Sequence, residues 1–75
     1  MQTPEIDALG LLCPLPVLKL RKRMAALRPG DHIRLIADDP AAIVDVPHFC
    51  AEAGHVLEKV SDIDGGQSYL VRKGR

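Results

Sequence analysis

The spacing of apolar residues between Pro14 and Leu27 predicts a first helix. Apolar side chains recur there at intervals of three, four and three residues, at Val17, Leu20, Met24 and Leu27. Such intervals place side chains on one face of an amphipathic helix. Pro14 and Pro16 fall in the predicted first turn, where a missing amide hydrogen and a fixed φ are tolerated. We therefore expect a helix with one buried face over this segment.

A second helix is predicted after Asp38-Asp39-Pro40, because an Asp cap followed by Pro at the first helical position is a helix-start signal. Apolar residues again recur at intervals of three, four and three, at Ile43, Val46, Cys50 and Ala53. Gly54 supplies a stop for this helix. Pro47 removes one backbone donor inside the segment, so we expect either a kink there or a helix that begins near Asp45.

Four strands complete the predicted secondary structure, and turn-forming residues separate them. They cover Ile6 to Leu9, His32 to Ala37, Val56 to Ser61 and Ser68 to Arg72. Gly10 ends the first strand, and Asp62 to Gly66 form a hairpin turn between the last two. The order predicts an α/β two-layer sandwich of βαβαββ topology, with a mixed four-stranded sheet and both helices on one face.

The length of 75 residues predicts a single domain over residues 1–75. So short a chain buries too little surface to enclose a large substrate cavity, so we expect surface chemistry or partner binding. Phe49 and Tyr69 are the only aromatic residues, which are too few for a base-stacking surface. Because the formal net charge is also zero, we expect no direct nucleic-acid binding.

The neutral total conceals a segregation of charge along the chain. Residues 1–30 sum to +3, residues 31–64 to −6 and residues 65–75 to +3. The basic residues of the first segment lie mainly on the predicted first helix. This distribution favours oriented docking of that helix on an acidic protein partner.

The N-terminal segment Met1 to Ile6 lacks a basic region followed by an apolar stretch, so no signal peptide is expected. No apolar run approaches the length of a membrane span. Two cysteines, Cys13 and Cys50, are too few for the disulfide framework of a small secreted domain. We therefore expect a soluble cytoplasmic protein that does not associate with membranes.

Cys13 is the leading candidate for chemistry, because it lies at or beside the predicted N-cap of the first helix. The positive end of a helix dipole and its unpaired amides favour a thiolate over a thiol. We therefore predict that the pKa of Cys13 lies below the usual value of roughly 8.5. Pro14 and Pro16 are interpreted as rigid residues that fix the direction in which the sulfur points. The alternative is that Cys13 is a small buried hydrophobe, as free cysteines commonly are.

A docking surface is predicted beside this cysteine. Leu15 and Leu18 fall off the apolar face of the first helix, on a sector that they share with Lys19 and Lys22. Exposed leucines among lysines, close to a nucleophilic sulfur, indicate a surface for an acidic partner. The alternative is that both leucines are isolated surface residues, which need no explanation.

The second cysteine is given a structural role. Cys50 lies on the apolar face of the second helix and is expected to be buried. A reversible disulfide between Cys13 and Cys50 is the alternative, although no Cys-x-x-Cys pairing supports it. His48, Cys50 and His55 match no zinc spacing, so we expect no metal site.

The remaining acidic and histidine residues give no catalytic pattern. Asp38 and Asp39 are interpreted as a helix cap rather than as a pair of catalytic carboxylates. His32 and His55 lie at predicted strand edges and show no sign of serving Cys13 as a base.

The chain resembles the TusA-like (SirA-like) sulfur-carrier family, first through the ten residues from Asp7 to Pro16, which contain Gly10 and the Cys-Pro-x-Pro run at Cys13. Further matching segments are Pro29-Gly30, Ala37-Asp38-Asp39-Pro40, Asp45-Val46-Pro47, Phe49-Cys50 and Tyr69-Leu70-Val71-Arg72-Lys73. Cys-Pro-x-Pro alone is a weak signal. Followed by Asp-Asp-Pro and Asp-Val-Pro at these spacings, it is a specific one.

The resemblance implies that Cys13 is catalytic and carries sulfur as a persulfide, with Gly10, Pro14 and Pro16 as motif support. It implies a cysteine desulfurase as donor and a downstream sulfur-acceptor protein as recipient. The best-known pathway of the family ends in 2-thiolation of the tRNA wobble uridine, and relatives serve molybdenum-cofactor assembly or sulfur oxidation. Leu12 and Leu15 replace charged residues of some relatives, so the partners of this chain are left open. No cofactor is expected.

A protein-binding regulatory module, with Cys13 incidental, is the alternative from a different class. It predicts that Cys13→Ser retains activity while charge changes at Lys19 or Lys22 abolish it. The carrier hypothesis predicts that Cys13→Ser is inactive.

Overall fold

The computed structural model describes residues 3–75, so Met1 and Gln2 of the N-terminal segment lie outside the described residues. The elements are β1 (Glu5–Ala8), α1 (Leu15–Met24), β2 (His32–Ala37), α2 (Ala42–Ala53), β3 (Val56–Ile63) and β4 (Gly66–Arg72). The predicted βαβαββ order is therefore confirmed. Within the described residues, neither helix is long and apolar enough to cross a membrane.

The four strands form one mixed sheet in the order β1-β2-β4-β3. β1 runs parallel to β2, whereas the β2–β4 and β3–β4 pairs are antiparallel. Leu35 is the register partner of both Ile6 and Tyr69, so these three side chains share one face of the sheet. The buried residues of the strands on this face are Ile6, Ala8, Ile33, Leu35, Ala37, Tyr69 and Val71. Both helices cover this face, as predicted.

The first helix is shorter than predicted. It begins at Leu15 with Pro14 as its N-cap and ends at Met24. Leu27 lies beyond the helix, where its amide donates to the carbonyl of Met24 at 3.1 Å in a tighter turn. Leu20 and Met24 are fully buried, and Leu27 is partly buried, so the predicted apolar face is correct although the C-terminal boundary is not.

The second helix begins later than the Asp-Asp-Pro signal suggests. Its N-cap is Ala41, without a side-chain cap, and Pro40 lies in the preceding turn. The alternative start near Asp45 is also wrong, because the helix runs from Ala42 with Pro47 inside it. The carbonyl that lacks a donor belongs to Ile43, four residues before Pro47, and this residue is 50% exposed. Water can therefore satisfy that carbonyl.

The buried face of α2 is rotated from the predicted one. Ile43 was predicted to be buried but is half exposed, and Val44 beside it is 70% exposed. The buried residues of this helix are Ala42, Val46, Phe49 and Cys50, so the prediction is confirmed for Val46 and Cys50 and wrong for Ile43. Two overlapping sets of apolar residues in this segment have helical spacing, one with Ile43 and one with Ala42. Packing against the sheet buries the set that contains Ala42.

The C-terminal hairpin is tighter than predicted. Ile63 pairs with Gly66, so the loop consists of Asp64 and Gly65 alone. Gly65 adopts a φ of +84°, which favours glycine in a two-residue hairpin turn. Both strands of the hairpin are longer than the sequence indicates, because regular pairing continues into the residues predicted as turn.

Candidate functional site

Cys13 lies on the short loop between β1 and α1. The chain leaves β1 at Gly10, which has a φ of +79°. The amide of Leu11 donates to the carbonyl of Ala8 at 3.2 Å, and the amide of Leu15 donates to the carbonyl of Leu12 at 2.9 Å. These turns leave Cys13 exposed just before the helix.

Two consecutive aspartates at the end of β2 hold this loop. β1 and β2 are parallel, so their carboxyl ends meet at the same edge of the sheet. An oxygen of Asp38 accepts from the amide of Gly10 at 3.0 Å, and an oxygen of Asp39 accepts from the amide of Cys13 at 2.5 Å. The other oxygen of Asp39 accepts from the amide of Ala41 at 3.1 Å. Asp39 therefore caps the turn that leads into α2, in part as predicted, and both aspartates also bind amides of the cysteine loop.

A third carboxylate, from α2, contacts the sulfur itself. The Cys13 thiol donates a hydrogen bond to Oδ2 of Asp45 at 3.0 Å. This bond raises the pKa of Cys13, and the partial desolvation of the thiol and the negative charges of Asp45 and Asp39 raise it further. The contacts of Cys13 in the free protein therefore favour the neutral thiol over the thiolate.

The predicted lowering of the Cys13 pKa is thus wrong. The helix starts at Leu15, so Cys13 precedes the N-cap Pro14 and lies outside the first turn. The amide of Leu15 is used by the carbonyl of Leu12 and does not face the sulfur. The charged groups that act on the sulfur are the carboxylates of Asp45 and Asp39, and both raise the pKa of Cys13.

The surface around the sulfur is apolar on both sides. Leu12 precedes Cys13 directly and is 69% exposed, and Leu15 follows it at the first position of α1 and is also exposed. Val44, also exposed, precedes Asp45. Cys13 and Asp45 are therefore each flanked in the chain by exposed apolar residues, two in the cysteine segment and one on α2.

The predicted docking residues divide into two groups. Leu15 lies close to Cys13, whereas Lys19 and Lys22 line a groove between α1 and β1 together with Glu5 and Asp7. Lys22 is seven residues beyond Leu15, about 10 Å along the helix axis at 1.5 Å per residue. Leu18, the fourth predicted docking residue, is also exposed. Lys19 and Lys22 thus lie on the helix that begins just after Cys13, but further along it than Leu15.

Of the two proline positions, Pro14 is the N-cap of α1 and Pro16 is buried in the first turn. Burial of Pro16 anchors the start of the helix in the core. Together with the loop contacts, it fixes the chain on both sides of Cys13.

The second cysteine and the histidines of the α2 region make contacts of their own. Cys50 is buried as predicted, and burial raises the pKa of its thiol to about 11. His48 contacts Glu52 on the exposed side of α2 at 2.8 Å. His55 packs against the ring of Phe49, and burial together with Lys73 and Arg75 lowers its pKa. Among residues 3–75, no three His, Cys, Asp or Glu side chains form a group that could hold a metal ion.

The contact of Asp45 with the sulfur, and the contacts of Asp38 and Asp39 with the cysteine loop, were not predicted from the sequence. A usable signal existed for the latter two, because residues that follow one of two parallel strands lie near those that follow the other. No comparable signal existed for Asp45, whose contact with Cys13 spans 32 residues and depends on how α2 packs.

Two comparisons with known proteins agree with this architecture. A family model described as Sulfurtransferase TusA matches residues 4–73. The crystal structure of a SirA-like protein from Desulfitobacterium hafniense is similar, with a TM-score of 0.82 and 25% sequence identity. The alignment covers 97% of this chain and all of that one. The chain therefore belongs to the TusA family of sulfurtransferases.

Proposed function

We propose that this protein is a sulfur carrier that accepts persulfide sulfur on Cys13 from a cysteine desulfurase and passes it to an acceptor protein. Family membership supports sulfur transfer in general. The identity of the donor and the role of Cys13 are the proposal.

The observation that carries the proposal is the contrast between the two thiols. Cys13 is exposed on a loop held by Asp38 and Asp39, whereas Cys50 is buried. Thiol exchange requires a sulfur that a partner can reach. Cys13 is therefore the sulfur through which this chain exchanges sulfur with another protein.

The transfer needs no external oxidant. The Cys13 sulfur, after loss of its proton, attacks the outer sulfur of the donor persulfide, and the donor S–S bond breaks. The donor cysteine leaves as a thiolate and takes up a proton, so a thiol and a persulfide have exchanged places. A thiolate of the acceptor protein then attacks the outer sulfur of Cys13-S-SH, and Cys13 is regenerated. Both steps conserve the oxidation level of the sulfur atoms.

The proposed destination of the sulfur is the 2-thio group of the tRNA wobble uridine, in the cytoplasm. The carrier itself need not bind RNA for this role, because the acceptor protein receives the sulfur. Both aromatic side chains, Phe49 and Tyr69, are buried and are not available for base stacking.

Intact-mass spectrometry tests the carrier function. Wild type incubated with a cysteine desulfurase and cysteine is expected to gain sulfur that dithiothreitol removes. Cys13→Ser is expected to gain none, and Cys50→Ala serves as the matched control that still loads. Loading of Cys13→Ser to the wild-type level, or no loading of wild type, overturns the proposal.

A further inference from the structure

The hydrogen bond between Cys13 and Asp45 opposes the chemistry that a sulfur carrier performs. The thiol donates its only proton to the Asp45 carboxylate at 3.0 Å. A thiolate has no proton to donate, so its formation replaces this bond with repulsion between two anions. The carboxylate of Asp39, bound to the Cys13 amide, adds to that repulsion. The free protein thus holds its reactive sulfur in the less nucleophilic form.

We propose that Asp45 is a specificity-determining residue for sulfur transfer: it keeps Cys13 neutral in the free protein and releases it to a partner that places a cationic side chain against the Asp45 carboxylate. This inference rests on the proposed function of Cys13 as a sulfur carrier. Beyond that function, it specifies which partners the carrier accepts and the chemistry by which the carrier recognises them.

The described part of the chain supplies no cation for Asp45. The ion pairs within residues 3–75 engage Glu58 and Glu52, not Asp45. Residues 31–64 contain eight acidic residues and only two bases, Arg34 and Lys59. Arg34 donates to Ser68, which is on the sheet face opposite the helices. A countercharge for Asp45 must therefore come from another molecule.

The surroundings of Asp45 define what that molecule presents. Asp45 is half-buried. Val44, which precedes it, and Leu12 and Leu15, which lie on either side of Cys13 in the chain, are exposed and apolar. A Lys or Arg side chain enclosed by apolar contacts is shielded from water, which strengthens its attraction to a carboxylate. The complementary partner surface thus has a cationic side chain next to its reactive sulfur and apolar residues around both. A small persulfide has no such surface, so the Cys13 thiol stays hydrogen-bonded to Asp45 in its presence.

The test compares Asp45→Asn with Glu52→Gln. Asparagine at position 45 removes the charge but retains an oxygen that accepts from the thiol, so the fold is expected to be preserved. Glu52→Gln removes an equal charge from the same helix, but Glu52 is exposed and pairs with His48 rather than contacting the sulfur. Three rates are measured: alkylation by iodoacetamide as a function of pH, sulfur uptake from glutathione persulfide, and uptake from a cysteine desulfurase.

For Asp45→Asn, alkylation near neutral pH and uptake from glutathione persulfide are expected to become several-fold faster. Uptake from the desulfurase is expected to become several-fold slower in kcat/KM, because the cation of the partner loses its counterpart. Glu52→Gln is expected to resemble wild type in all three. This divergence between the small donor and the protein donor is not expected from a purely structural role.

Two outcomes overturn the inference. If Asp45→Asn has the wild-type alkylation profile at every pH, Asp45 does not hold the thiol. If uptake from both donors changes by the same factor in the same direction, no cation of the partner acts through Asp45. Failure of the carrier function looks different: wild type then loads from neither donor, while the alkylation profile still reports whether Asp45 controls Cys13.

Discussion

Asp39 accepts a hydrogen bond from the backbone amide of Cys13 across a sequence separation of 26 residues. Its second oxygen accepts from the amide of Ala41 at the start of α2. One carboxylate thereby connects the loop after β1 to the loop after β2. The position of the Cys13 sulfur consequently depends on a side chain from a different part of the chain.

Asp39→Ala is expected to destabilise the protein by about 1–2 kcal/mol, because two backbone amides lose their acceptor. Urea unfolding followed by circular dichroism measures this change. Asp39→Asn keeps an oxygen for one of the two amides and is expected to lose less. Equal stability of Asp39→Ala and wild type would show that the two hydrogen bonds of Asp39 contribute nothing to the free energy of unfolding.

Leu20→Ala is expected to cost about 2–5 kcal/mol, because Leu20 is fully buried between α1 and the sheet and its truncation leaves a cavity. Leu18→Ala, on the exposed side of the same helix, is the matched control and is expected to change stability by less than about 0.5 kcal/mol. Chemical denaturation of both variants checks the prediction. Similar losses for the two would contradict the assigned helix face.

Glu58 is expected to stabilise the protein at neutral pH but not at acidic pH. Its carboxylate contacts Nε2 of His32 at 2.5 Å and Nε of Arg72 at 3.2 Å, and these two contacts lower the pKa of Glu58. A carboxyl group with a lower pKa in the folded state adds stability above its unfolded pKa, and this stability is lost as pH falls through the folded pKa.

Thermal unfolding of Glu58→Gln therefore yields a lower Tm than wild type at pH 7. The two Tm values converge as the pH falls from the ordinary pKa of Glu, about 4.3, through the lower pKa of Glu58 in the folded state. Glu52→Gln, which removes an exposed carboxylate paired with His48, is the control and is expected to have a smaller effect. A Tm difference for Glu58→Gln that stays constant with pH would contradict the electrostatic origin.

Lys19→Glu and Lys22→Glu are expected to lower kcat/KM for sulfur uptake from a desulfurase, if α1 docks on an acidic surface. The loss should be several-fold at low salt and smaller at high salt, because salt screens exposed charges. Alkylation of Cys13 is expected to be unchanged, since neither lysine contacts the sulfur. Lys59→Glu, on β3, is the control with the same charge change. Equal losses for all three variants would indicate a general charge effect rather than docking of α1.

The element order and the two-layer fold follow from the sequence because they depend on local information. Helical spacing, proline and glycine positions and the Asp-Gly turn act within a few residues. The boundary of α1 and the choice between Ala42 and Ile43 as the buried position of α2 were wrong. Both depend on which neighbouring surface the helix meets, and local spacing does not contain that information.

The sequence by itself determined the order of strands and helices, and it identified Cys13 as the candidate sulfur and Cys50 as a core residue. Only the tertiary structure decided the direction in which the pKa of Cys13 is shifted. Local reasoning placed the thiol at a helix terminus and predicted a thiolate, whereas the parallel pairing of β1 with β2 and the packing of α2 bring Asp39 and Asp45 to the same loop. Electrostatic effects act through space rather than along the chain, so a carboxylate 32 residues away in sequence reverses the expected direction of the pKa shift.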